Sequence, residues 1–116
     1  MDSLAVALER GTAFKIEGRY DEAISEFRSV LDSDPTHSEA HHQLGLVYGF
    51  VGMFDESVSE LERATQLDPT NLLARNDLAL TYTMIGMYEE AKVQFAKVLE
   101  SDHDNDVALR NLTYFQ

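Results

Sequence analysis

A chain of 116 residues fits a single domain. Its 44% apolar and 26% charged residues are those of a globular protein, which excludes a disordered tail, and two prolines with six glycines exclude collagen-like and proline-rich architectures. A net charge of −12 disfavours nucleic acid and anionic membrane surfaces as partners, and the lack of cysteine removes disulfides, thiolate metal sites and a cysteine nucleophile.

In chain order, apolar spacing predicts helices over 3–16 and 20–33, parted by Gly18. A second pair is predicted over 38–50 and 54–67, parted by Gly52. There Leu44, Val47, Tyr48 and Val51 fall at i, i+3, i+4 and i+7, and Val58, Leu61, Ala64 and Thr65 repeat that spacing. A third pair is predicted over 72–84 and 88–101 around Gly86, and a last helix over 106–115. Asn71 and Asn105 stand where helices begin and are good N-caps, and Pro35 and Pro69 stop the helices before them. No apolar run reaches the roughly 18 residues of a membrane span, and the first residues carry no basic signal-peptide region, so a cytoplasmic chain is expected.

The elements repeat. Gly18, Gly52 and Gly86 lie 34 residues apart. Tyr20, Phe54 and Tyr88 keep the step, as do the acidic pairs Asp21-Glu22, Asp55-Glu56 and Glu89-Glu90 and the small residues Ala23, Ser57 and Ala91. Leu44-Gly45, Tyr48, Ser57, Leu61, Ala64 and Pro69 form the fullest unit. Gly11, Phe14, Ala23, Phe27, Val30 and Pro35 form another, and Leu78-Ala79, Tyr82, Ala91, Phe95 and Val98 a third. This pattern resembles the tetratricopeptide repeat (TPR) family, whose period is 34 residues. The usual first aromatic is replaced by Ala7, His41, Arg75 and Leu109, and His103 stands in place of a third proline. The resemblance implies an all-α solenoid of about seven helices in antiparallel pairs, wound as a right-handed superhelix. The repeats would be 4–37, 38–71 and 72–105, with 106–116 a terminal helix or the start of a fourth repeat.

Catalytic signals are absent. The chain has no Gly-rich phosphate loop, no Gly-x-Ser-x-Gly and no His-Glu-x-x-His. His37 and His41 are four apart beside His42, but His37 falls at a helix cap and His41 in an inward slot, so no metal site is expected. Asp102–Asp106 resembles the opening of a calcium loop, yet Val107 and Thr113 occupy the positions that need Gly and Glu. No cofactor is implied, and the chain reads as non-enzymatic.

The resemblance implies that partners lie in a groove lined by the first helix of each pair. Mapped onto this chain, the partner-binding positions are Thr12, Lys15, His42, Gln43, Leu46, Phe50, Asn76, Leu80, Met84, Arg110, Asn111 and Tyr114. Leu46, Phe50, Leu80 and Met84 would form side-chain pockets. Gln43, Asn76 and Asn111 would bond an extended backbone, and Lys15 and Arg110 would hold a carboxylate. Family members that grip acidic chaperone tails carry basic and amide residues where this chain has Leu8, Thr12, Gln43, Leu73 and Asp77. The expectation is therefore a protein or peptide partner, neutral to basic, and not an acidic chaperone C-terminal tail, with no nucleic acid and no membrane insertion. The apolar last helix predicts either a chain that continues or self-association through Leu109, Leu112 and Phe115. The function expected is an adaptor or assembly scaffold; the alternatives are a self-assembly element and a regulatory fragment of a larger protein or enzyme.

Overall fold

The structure is a computed structural model and describes residues 2–115. Seven α-helices form among these residues: α1 (Ser3–Ile16), α2 (Tyr20–Ser33), α3 (Ser38–Phe50), α4 (Phe54–Leu67), α5 (Leu72–Met84), α6 (Tyr88–Ser101) and α7 (Asp106–Tyr114). They agree with the helices read from the sequence, except that α7 closes at Tyr114 rather than at 115. Helices α1/α2, α3/α4 and α5/α6 pack as pairs. The pairs stack through α2 on α3 and α4 on α5, and α7 docks on α6. The result is an all-α solenoid of stacked helix pairs, 47 × 26 × 21 Å.

Local chemistry sets the helix ends. The first helices are capped by Asp2, His37, Asn71 and Asn105, whose side chains each accept a backbone N–H of the first turn. His37 does this through Nδ1, 3.1 Å from the Ala40 nitrogen. Within each pair the turn needs a left-handed residue. Gly52 supplies it at φ +82°, and Met53 N–H then donates to Tyr48 C=O at 2.8 Å, closing the helix. The second helices end at Asp34, Asp68 and Asp102. Asp34 and Asp68 fold the following turn by accepting both the N–H and the hydroxyl of Thr36 and Thr70.

Close approach of paired helices follows from missing side chains. A Cβ on Gly45 would lie 2.7 Å from Leu61 Cγ. Ser57, facing the same point from α4, donates its hydroxyl to Gly45 C=O at 2.7 Å. Leu61, Leu78, Phe95 and Val98 fill one core cluster, and Phe27, Leu44, Val47 and Tyr48 fill another.

A tyrosine latch joins each pair to the next. Arg28 of α2 donates to Tyr48 Oη on α3 at 2.6 and 3.0 Å. One repeat later the partner's charge is reversed: Tyr82 Oη on α5 donates to Glu62 Oε1 of α4 at 2.7 Å. Burial, then the bond to Glu62, pushes the Tyr82 phenol above the ordinary tyrosine range. Nearer the surface, Arg19 at the α1–α2 turn bonds Glu22 at 2.7 Å, raising the guanidinium and lowering the carboxyl.

Candidate binding groove

The first helices touch across the stack, α1 against α3 and α3 against α5, so their outer sides share one face. A polar chain crosses it. Lys15 Nζ donates to Gln43 Oε1, and Gln43 Nε2 donates to Glu39 Oε1 at 2.7 Å. Glu39 Oε2 lies 3.9 Å from His42 Nδ1, and His42 Nε2 donates to Asp77 Oδ2 at 2.8 Å. Three repeats are thus linked side by side.

Beside this chain lies an apolar cavity of about 270 Å³, walled by Leu46, Phe50, Phe54, Leu80 and Met84. Gly49 opens its floor; a Cβ there would meet only the Ser57 hydroxyl, at 3.4 Å. Phe50 and Met84 form an exposed rim. Four positions read from the sequence, Leu46, Phe50, Leu80 and Met84, therefore converge on one cavity. A second cavity, about 480 Å³, is lined by Thr83, Tyr88, Asn111, Tyr114 and Phe115. Gly49, Phe54 and Tyr88 were missed among the groove positions. The 34-residue period does mark Phe54 and Tyr88, but as residues of the second helices.

Other predicted contacts are occupied from within. His42 and Asn76 are corrected: both are buried, at 4% and 5% exposure, and serve the joints between repeats. Asn76 Nδ2 donates to Asn105 Oδ1, tying α5 to the cap of α7. Asn111 donates to Val107 C=O, Thr12 to Leu8 C=O and Arg110 to Asp106. The self-association surface is also corrected. Leu112 and Phe115 pack against the core around Phe95, with the Phe115 ring 5.6 Å from that of Tyr88. Leu109 and Tyr114 stay exposed.

His41 does not gather ligands. Its ring nitrogens lie 2.6 Å from Glu60 Oε2 and 2.8 Å from Pro35 C=O. Among the described residues no group of three or more His, Asp or Glu is placed to hold a metal ion. Nor is any helix there long and apolar enough to cross a membrane.

Comparison with known proteins agrees with this geometry. Tetratricopeptide repeat family models match residues 51–113 and 5–37. No curated protein matches the sequence. Among solved structures, the first TPR of Spaghetti (RPAP3) bound to the HSP90 peptide SRMEEVD is similar at 25% identity and a TM-score of 0.91, over 97% of this chain and 89% of that one. The first TPR domain of human RPAP3 is similar at 25% identity and 0.88, over 96% and 87%. The second TPR domain of human RPAP3, in complex with the HSP70 peptide SGPTIEEVD, is similar at 23% and 0.89, over 97% and 93%.

These structures correct the expected partner. An acidic chaperone tail is no longer excluded, because similar TPR domains hold peptides ending in Glu-Glu-Val-Asp. The side chains at Leu8, Thr12, Gln43, Leu73 and Asp77 weigh charge at five points and leave out shape and the apolar floor. The preference for a neutral or basic groove partner falls with it. Net charge sums the whole surface and does not report the groove alone. Helix order, repeat spacing and family match coincide: the chain belongs to the tetratricopeptide repeat family.

Proposed function

We propose that the chain is a non-enzymatic interaction module that holds a short segment of a partner protein in the groove, as an adaptor or assembly scaffold. The carrying observation is the apolar cavity between α3 and α5. A chain of charge −12 leaves Phe50 and Met84 exposed at 57% and 67% around that opening, where they offer an anchoring side chain a dry contact. The family is typically an interaction fold, and the similar domain bound to SRMEEVD supports a peptide as the occupant.

The test is selection from a displayed random-peptide library, with SRMEEVD as a defined member. Affinities are then measured on the chain and on Gly49→Leu. Leucine at 49 fills the cavity without removing a contact, and loss of glycine inside a helix should not lower the melting point. Binding weakened about tenfold or more by Gly49→Leu supports the groove. Selected peptides indifferent to Gly49→Leu, or no selected peptide at all, overturn this function.

A further inference from the structure

A second surface adjoins the groove, on the edge where each first helix turns into its second. Ile16, Phe50, Val51, Met53, Met84 and Met87 are all exposed there, from 39% for Met53 and Met87 to 78% for Ile16. Ile16, Phe50 and Met84 keep the 34-residue step, as do Met53 and Met87, so the turns align along the stack. Contacts join its middle. The Tyr20 ring lies 5.7 Å from Phe50, and Phe50, Phe54 and Met84 share one opening. None of the six is a buried member of the core clusters. Their apolar side chains are left largely to solvent.

The band has a charged border. The first turns of α2, α4 and α6 carry Asp21, Glu22, Asp55, Glu56, Glu89 and Glu90, all exposed. Arg19 pairs with Glu22, and Lys92 with Glu89. Among the described residues the other four have no ion-pair partner within 4.0 Å.

We propose that this edge docks an amphipathic helix of a partner protein, with apolar residues along one face and lysines or arginines flanking it. The apolar face covers the band, and the flanking cations meet the carboxylate border. Three of the chain's four methionines lie on the edge, and their flexible side chains adapt to a helical face. The same border argues against other occupants. A second copy would bring identical carboxylates into register, and an anionic lipid surface would be repelled. The charges that count are those bordering the edge, so the groove's own preference is independent of them.

The edge shares only Phe50 and Met84 with the groove, so Met53 and Met87 separate the two. They are the N-caps of α4 and α6 and make no side-chain cap bond, so serine at both removes apolar surface while supplying a capping hydroxyl. The probe is a leucine–lysine amphipathic helical peptide, compared with its leucine–glutamate counterpart by fluorescence anisotropy. The expected result is binding of the lysine peptide alone, weakened about tenfold by Met53→Ser/Met87→Ser and unchanged by Gly49→Leu. Glu56→Gln/Glu90→Gln should reduce both the affinity and its salt dependence. Four outcomes overturn the proposal: no binding, equal binding of the glutamate peptide, loss on Gly49→Leu with retention in the serine variant, or a concentration-dependent mass abolished by that variant. The last would assign the edge to a second copy. Failure of the groove reading leaves this result untouched, since its variant is Gly49→Leu.

Discussion

At the scale of single residues, two glycines do different work, and substitution separates them. Gly52 has φ +82° and open space around its missing Cβ. Alanine there should cost about 1–2 kcal/mol of backbone strain alone, and no change in a neighbour should recover it. Gly45 sits inside α3, where a Cβ would lie 2.7 Å from Leu61 Cγ and 2.9 Å from its Cδ2. Alanine there should cost about 1–3 kcal/mol through overpacking, and Leu61→Ala should lessen that added cost in a double-mutant cycle. Denaturant midpoints of the three single and two double variants decide it. Coupling between Gly52→Ala and Leu61→Ala, or none for Gly45→Ala, would contradict this division. Both glycines were legible in the sequence, because each recurs or aligns with a small residue at the repeat step. The amides were not. Asn76 looked free to meet a partner, yet its bond goes to Asn105, 29 residues away, and only the stacked geometry reveals that.

At the scale of helices, the tyrosine latch uses one hydroxyl in two ways. A phenol both donates and accepts, so Tyr48 takes a bond from Arg28 and Tyr82 gives one to Glu62. The bond to Glu62, with burial, holds the Tyr82 phenolic proton against loss. The Tyr82 phenol is raised in the folded chain, whereas in the unfolded chain it ionises near about 10. Stability from this group is therefore fully present below about pH 10 and declines as pH rises from there toward the folded value. Tyr82→Phe should lower the melting temperature at neutral pH, since a charge-assisted bond worth about 1.5–3 kcal/mol is lost. It should also flatten the alkaline decline relative to the parent chain. Parallel melting profiles between about pH 8 and 11 would show that Tyr82 does not contribute this linkage. The helices were readable because apolar period, glycine turns and caps coincide at each boundary. The latch was not, because Arg28 and Glu62 look like ordinary solvated charges until the next repeat is placed beside them. Phe115 was misread for a related reason: a short last helix looks unfinished in sequence, but Tyr88 on α6 gives its ring a surface.

At the scale of the molecule, each helix contacts only those one or two places along the chain, so stability should be local rather than shared equally. The cluster of Ala7, Val30 and Ala40 joins α1, α2 and α3, whereas Ala108, Leu112 and Phe115 attach α7 to the cluster around Phe95. Helices α2 to α6 have packed neighbours on both sides and α1 and α7 on one, and α3 to α5 lie farthest from the ends. Amide exchange should therefore be slowest in α3–α5 and fastest at the two ends. Val30→Ala deletes fully buried methyls and should cost about 2 kcal/mol. Its loss of protection should concentrate in α1–α3 and spare α7. Ala108→Asp, which buries a carboxylate at a 0% exposed site, should release α7 and leave α1 and α2 unchanged. Exchange measured residue by residue on both variants tests this. If either substitution lowered protection uniformly across all seven helices, the chain would open as one global unit. The groove and the turn edge would then be equally rigid platforms; local opening instead makes α7 the mobile wall of the cavity formed by Asn111, Tyr114 and Phe115.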